Sequence, residues 1–426
     1  MLQIIDLRDA STTSGKNIKR PAIDNSFLQQ KVKAVLDDVK LSGDEAVVKY
    51  TAQFDGVSLP NFVVSAQEME EANSLLGTDL KQAILQAASN IKLFHQKQLS
   101  PVEIVETTPG IQCWRKSVGI EKVGLYIPGG SAPLFSTILM LGLPAQLAGC
   151  KEIILCSPPN KEGKLHPAIL FAASVAGITK VYKIGGVQAI GAMAYGTASV
   201  PQVYKIFGPG NQYVTCAKQM IQQEGIAIDM PAGPSEVCVL ADETANPAFV
   251  AADLLSQAEH GPDSQVVLVT TNELVAQNVM AELEKQVALL PRATIALKAL
   301  QNSKAIIVSD IAAAIDLVNE YAAEHLIISC ADAAAIGEKI INAGSIFLGN
   351  YSPESVGDYA SGTNHTLPTN GFAKAYSGVS VDSFVKKITF QQLTKEGLQH
   401  IANTVELMAI AEGLDAHANA VAIRLA

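Results

Sequence analysis

Apolar and polar positions change their rhythm twice along this chain. Over residues 26–98 the period is helical: Val32, Val35, Leu36 and Val39 recur at three- and four-residue spacing, and residues 80–94 repeat the pattern. A strand pair over 104–114 then turns on Pro109-Gly110. From Val123 short apolar runs take over, at 123–127, 152–156, 180–184 and 205–207, each stopped by a glycine or proline cluster. Helices are predicted between them at 138–147, 167–176 and 189–195. A second series follows 226–228, with strands at 237–240, 265–270, 305–308, 326–329 and 344–348 and helices at 247–259, 273–287 and 311–324. Strands alternating with helices through short connections predict parallel sheets with right-handed crossovers, here in two α/β units of similar build. Residues 1–21 read as a polar extended arm, the stretch after Thr363 as irregular, and 394–425 as an amphipathic helical C-terminus.

Composition narrows the class. A chain of 426 residues with 48% hydrophobic content buries a large core and suggests more than one domain. The formal net charge of -10 argues against nonspecific nucleic-acid binding and against an anionic membrane as partner. The N-terminus lacks the basic and apolar regions of a signal peptide. The longest apolar stretch, 134–150, is too short and too interrupted by polar residues, glycine and proline to span a bilayer. The cysteines (Cys113, Cys150, Cys156, Cys216, Cys238 and Cys330) are scattered without C-x-x-C spacing, as suits buried thiols in a reducing cytoplasm.

Several stretches carry candidate chemistry. Gln257 and His260 share one helix face at a helix C-terminus, where backbone carbonyls carry partial negative charge, and Gly261 is expected to end that helix in a left-handed turn. Such a pair suits half of a metal site, although on spacing alone it is more often a solvated face or an end cap. Glycine clusters at Pro128-Gly129-Gly130, Gly185-Gly186 and Gly208-Pro209-Gly210-Asn211 lie at predicted strand ends, where parallel sheets bind ligands, although the G-x-G-x-x-G fingerprint is absent. Glu324-His325 offers an acid and an imidazole at an element end. Asp358 and His365 fall in a polar glycine-rich loop, 357–365, and Glu412 and His417 on the C-terminal helix.

These strings together resemble the histidinol dehydrogenase family. The resemblance is carried in order by 123–137 (VGLYIPGGSAPLFST), 206–211 (IFGPGN), 229–237 (DMPAGPSEV), 254–261 (LLSQAEHG), Glu324-His325-Leu326, 362–365 (GTNH) and 412–417 (EGLDAH), and so spans nearly the whole chain. It implies two similar incomplete Rossmann-like domains with parallel sheets, a short N-terminal arm and a small helical C-terminal segment. The division expected is an arm at 1–21, a discontinuous catalytic and metal-binding unit of 22–122 with 237–380, an NAD-binding unit at 123–236, and a C-terminal segment at 381–426 exchanged between the subunits of a homodimer. The activity implied is oxidation of L-histidinol to L-histidine through L-histidinal, with two NAD+ reduced, by a cytoplasmic enzyme carrying one Zn2+ per subunit.

The same resemblance implies the residue roles. Zinc ligands would be Gln257, His260, Asp358 and His417, and the acid–base pair Glu324 and His325. Substrate would be met by Ser235, Gln257, His260, His325, Asp358, Glu412 and His417. NAD would be met by Tyr126, Asn211 and, on the shorter match of 185–190, Gln188. His365 matches a family histidine near the site. Rival readings are a zinc hydrolase, a non-enzymatic α/β binding protein and a thiol-dependent aldehyde dehydrogenase. No H-E-x-x-H supports the first, and nothing flanking Cys113, Cys150 or Cys156 in sequence lowers a thiol pKa.

Overall fold

The fold is taken from a computed structural model, which describes residues 2–8, 18, 20, 26–59, 61–129, 133–231 and 233–426. Gly130, Ser131, Ala132, Ala232 and most of the N-terminal arm, all named above, lie outside the described residues.

The strands in chain order are β1 (Gln3–Asp6), β2 (Ile104–Thr108), β3 (Ile111–Gly119), β4 (Lys122–Tyr126), β5 (Glu152–Ser157), β6 (Lys180–Lys183) and β7 (Lys205–Phe207). There follow β8 (Ala227–Ile228), β9 (Glu236–Ala241), β10 (Gln265–Thr270), β11 (Lys304–Ile307), β12 (His325–Ser329), β13 (Ser345–Leu348) and β14 (Val385–Leu393). They form three sheets among the described residues. One is a parallel sheet in the order β6-β5-β4-β7-β8, and a second is a parallel sheet in the order β1-β11-β10-β9-β12-β13. The third is antiparallel, β14-β3-β2.

Every residue of β9, β10 and β12 is buried, which is why these strands read as continuous apolar runs rather than as alternation. Their two faces feed two cores. Val237, Val239 and Ala241 pack with helices Pro247–Ala258, Glu273–Val287 and Ala293–Gln301; Cys238 and Leu240 pack with helix Ile311–Tyr321. The five-stranded sheet is built likewise, with Ile154 and Ile206 facing one core and Val123, Leu125 and Phe207 the other.

Three expectations need correction. The helices of residues 26–96 do not join the unit of 237–380. Val32, Leu36 and Val39 share a core with Ile154 and Ile206, while Ile84 and Ile91 share one with Val123 and Leu125, so both faces of the five-stranded sheet are covered by them. An apolar stripe fixes that a helix is buried, not against which sheet. The arm is not merely extended: β1 pairs in parallel with β11 and closes an edge of the six-stranded sheet. The stretch after Thr363 is irregular only as far as residue 384, because β14 then runs antiparallel to β3 over its whole length, from Val385 opposite Gly119 to Leu393 opposite Ile111. The C-terminus is two helices, Lys395–Ala411 and Asp415–Leu425, turned at Gly413. Among the described residues no helix is long and apolar enough to cross a membrane.

Candidate active site

Two titratable residues of the six-stranded sheet stand at the amino ends of neighbouring strands. Glu236 opens β9 and His325 opens β12, side by side in the sheet, with His325 in register with Val237. Helix Ile311–Tyr321 stops at Ala322, which takes a left-handed conformation (φ 53°), so Glu324 lies in the link before β12 rather than on the predicted helix. A side chain in that region costs about 1–2 kcal/mol, a strain the surrounding structure must hold.

The backbone of Glu236 serves both residues of the pair. Its N–H donates to Glu324 Oε2 at 2.9 Å. Its carbonyl lies 3.2 Å from His325 Nδ1. A carbonyl only accepts, so Nδ1 carries the proton in that bond and Nε2 is left to face the site. His325 Nε2 lies 3.5 Å from Asp358 Oδ1, and both atoms are buried without a hydrogen-bond partner. Nδ1 also lies 3.7 Å from Glu324 and 3.8 Å from Glu354.

Glu354 and Asp358 stand one turn apart on the short helix Glu354–Tyr359, so the loop expected around Asp358 is helical at this point. Sequence reasoning passed over Glu354. Its signal was there, a second carboxylate four positions before Asp358. Gln257 lies near the end of helix Pro247–Ala258; with its amide oriented as its neighbours require, nitrogen toward the Glu354 carboxylate, its oxygen accepts from the N–H of Glu236 at 3.1 Å. His260 follows, but Gly261 has no positive φ and the helix ends through Glu259 in right-handed geometry, so the predicted left-handed stop does not form. His365 lies 4.0 Å from Asp358 and hydrogen-bonds Thr137 at 3.2 Å. Thr137 belongs to helix Phe135–Leu147, which follows β4 and packs on the five-stranded sheet, so a helix of that layer touches the cluster here.

Burial and mutual charge set the protonation of this group. Burial pushes Glu324 up to about 7, with His325 opposing, and Glu354 up to about 8, again with His325 opposing. Burial alone would lower His325, yet Glu354, Glu324 and Asp358 outweigh it and push the imidazole up to about 10. Burial would raise Asp358, but its imidazole neighbours His325, His365 and His260 hold it below the usual carboxylate range. His260 and His365 are both lowered by burial and stay neutral, as metal ligands and proton acceptors must be.

A second feature lies at the carboxyl ends of the five-stranded sheet. A cavity of about 1300 Å³ is lined by Tyr126, Pro128, Gly129, Pro158, Gly186 and Asn211, among others. Gly208 takes a φ of 123°, and a Cβ there would strike the carbonyl of Tyr126. The Tyr126 hydroxyl accepts from the N–H of Gly186 at 3.1 Å, and burial pushes it up to about 12. Asn211 caps helix Gln212–Gln223 by accepting from Tyr213 and Val214. Gln188 lies behind the wall and donates to Asp55, which lines the cavity, at 3.4 Å.

The structure thus brings together Gln257, His260, Glu324, His325, Asp358 and His365, and sets Ser235 next to Glu236 at the start of β9. Tyr126 and Asn211 share the separate cavity. Glu412 and His417 do not join the cluster within one chain; both are exposed on the C-terminal helices. Four of the cysteines are held as thiols. Burial pushes Cys150 up to about 11 and Cys238 and Cys330 up to about 12, and raises Cys156 as well.

Comparison with known proteins shows the family. The family model described as histidinol dehydrogenase matches residues 18–425. Histidinol dehydrogenase of Bacteroides thetaiotaomicron is 59% identical over 408 residues, 96% of this chain and 95% of that protein. That of Yersinia pestis is 52% identical over 96% of this chain and 92% of that protein. The crystal structure of histidinol dehydrogenase from Elizabethkingia anophelis superposes with a TM-score of 0.97 at 54% identity, covering 100% of this chain and 98% of that one. An NAD-dependent aldehyde dehydrogenase from Sinorhizobium meliloti has a TM-score of 0.50 at 11% identity over 86% of this chain and 87% of its own, a likeness of fold alone. The class is therefore that of oxidoreductases built on paired parallel sheets. Within it, the chain belongs to the histidinol dehydrogenase family.

Proposed function

We propose that this protein oxidises L-histidinol to L-histidine through L-histidinal, reducing two NAD+, in the last steps of histidine biosynthesis. The observation that carries the reading is the shared support of Glu324 and His325 by the backbone of Glu236, beside two buried polar atoms, His325 Nε2 and Asp358 Oδ1, that lack a protein partner. Buried polar atoms of this kind call for a polar guest.

The donor set fits a divalent cation. Carboxylates of Glu324, Glu354 and Asp358 surround His325, a neutral His260 stands by, and His325, Glu354 and Asp358 offer ligand atoms within 4.8 Å of one another. We assign Zn2+, one per subunit, to Gln257, His260 and Asp358, with His417 supplied by a second copy of the chain. Zinc bound there would anchor the nitrogen atoms of the substrate and carry no electrons, being redox-inert. Glu354 then lies behind the ligands, fixing the amide of Gln257.

The chain's own groups handle the protons. His325, held by Glu236 through Nδ1, takes the alcohol proton at Nε2 as hydride leaves the substrate carbon for NAD+. Once positive charge from the substrate offsets the carboxylates around it, the imidazole is released from its raised pKa to act as a base. Glu324, pushed up to about 7, sits near neutrality and activates the water that adds to the aldehyde. His325 accepts a proton again in the second hydride transfer. Ser235 contacts substrate from the start of β9, and His365 orients Asp358. The cavity above the five-stranded sheet takes NAD+, with Tyr126 and Asn211 on its wall and Gln188 acting from behind it through Asp55.

We further propose a cytoplasmic homodimer in which Glu412 and His417 complete the site of the second subunit. Support comes from exposed Leu407, Met408, Ile410 and Leu414 near those residues, an apolar surface that association would cover. Dilution to monomers is expected to abolish activity; monomers of full activity would refute the shared site.

The test of the function is the NADH formed per L-histidinol consumed, with metal-replete protein and excess NAD+. Two NADH with histidine as product is the expected result. One NADH with aldehyde released would overturn the role of Glu324. No NADH would turn the reading to another amino alcohol or to a zinc hydrolase.

A further inference from the structure

One residue that supports the neighbourhood of the catalytic pair comes from far away in sequence. Arg20 reaches Glu236 from the N-terminal arm: Nε lies 2.5 Å from Oε1 and Nη2 3.0 Å from Oε2, a two-pronged grip on one carboxylate. Nη2 also donates to the carbonyl of Tyr321 at 2.7 Å, and the guanidinium stacks 4.1 Å from the Tyr321 ring. The N–H of Asn370 adds a third bond to Glu236, at 3.0 Å to Oε1. Glu236 is buried, so its carboxylate depends on these partners.

The two non-glycine residues with positive φ among the described residues both flank this grip. Ala322 (φ 53°) follows Tyr321, whose carbonyl Arg20 binds, and leads into Glu324. Asn370 (φ 55°) donates the third bond. Strained backbone persists where its surroundings over-determine it, and here both strained residues converge on one carboxylate.

We infer that Arg20 is a positioning residue: by clamping Glu236 and the end of helix Ile311–Tyr321, it fixes the backbone N–H and C=O that hold Glu324 and His325. The inference rests on the proposed roles of that pair. Arg20 itself touches neither of them. It acts by setting where the Glu236 main chain lies and, through the carbonyl of Tyr321, where the link to Glu324 begins. A displacement of about 1 Å in such support costs on the order of 100-fold in rate.

The experiment compares wild type, Arg20→Met, Arg20→Lys and the double variant Arg20→Met/Glu236→Met, each as the full-length metal-loaded enzyme. Arg20→Met is expected to lower kcat roughly 10- to 100-fold while KM for NAD+ stays within about twofold. Arg20→Lys, which keeps charge but loses the fork, is expected to recover part of kcat. The double variant removes both buried charges, so it should regain Tm without regaining kcat. A folded Arg20→Met with kcat within about twofold of wild type would overturn the inference, as would a double variant in which kcat returns together with Tm. A second readout does not depend on turnover. In ¹⁵N-histidine spectra, with His325→Asn assigning the signal, Nδ1 of His325 is expected to shift or broaden in Arg20→Met and to stay fixed in wild type. An unchanged signal would overturn the inference even if wild type failed to oxidise histidinol, a failure that would count against the proposed function alone.

Discussion

The five-stranded and six-stranded sheets arise from the same alternation of strand and helix, yet they turn opposite ends to their sites. In the five-stranded sheet the cavity lies past the carboxyl ends of β4, β5 and β6, against the N-termini of the helices that begin at Gly186 and Gln212. In the six-stranded sheet the charged cluster lies at the amino ends of β9 and β12, beside the C-terminus of helix Pro247–Ala258 and just past that of Ile311–Tyr321. The difference follows the charge of the proposed guests. Helix N-termini offer N–H groups and positive potential to a diphosphate, and helix C-termini offer carbonyls and negative potential to cations. One sheet presents backbone and glycine; the other presents carboxylates and imidazoles.

The largest effects should come from the charged cluster. His325→Asn is expected to cost at least about 1000-fold in kcat in both half-reactions, measured by stopped-flow NADH formation from histidinol and from histidinal. Glu324→Gln should harm the histidinal step more than the histidinol step; equal losses would sink that division of labour. Removing metal with a chelator should abolish turnover while the Kd for NAD+, read by calorimetry, moves less than about threefold. Parallel loss of both would mean that the two ends of the molecule are not separate sites. On the other side, Tyr126→Phe deletes the acceptor of the Gly186 N–H, and the loss of one such hydrogen bond predicts a rise of about 3- to 10-fold in KM for NAD+ with bound metal unchanged.

The smallest effect concerns stability. Burial pushes Asp253, on the helix that carries Gln257, up from 3.8 to about 7. Its raised pKa means the folded chain holds a proton that the unfolded chain has released, so this group weakens the fold progressively between about pH 4 and 7 and fully above that. Asp253→Asn should therefore gain about 1 kcal/mol at pH 8, discounted for partial exposure, and nothing below pH 4. Urea midpoints at the two pH values would decide it. A gain of equal size at both would assign the effect to packing instead.

How much of this was legible depended on the distance over which each signal acts. Strands such as 265–270 and helices such as 273–287 were read to the residue, because buried parallel strands and capped helices write their periods locally. β14 was missed because most of its residues, including Lys386, Lys387, Gln391 and Gln392, are exposed, so no alternation marks it. The cluster around Asp358 was legible as residue types, whereas Glu354 was hidden by reading a helix as a loop. Arg20 could not be found at all, since nothing in its local sequence reports that its partner lies at Glu236.

The arrangement of sheets has a consequence for the order in which the chain can fold. Nearly all the core of the five-stranded sheet, with its helices, comes from residues 28–228, a continuous segment finished well before the C-terminus is made. The six-stranded sheet cannot close until Lys304–Ile307 exists for β1 to pair with, so β1, which precedes every other described strand, is among the last to dock. Pulse-labelled hydrogen exchange should show amides of β4, β5 and β7 protected before those of β9, β11 and β12. Under that order the cofactor-sized cavity forms early on a stable platform, and the acid–imidazole cluster comes into being only once β9, β12 and the helix Glu354–Tyr359 have been brought together.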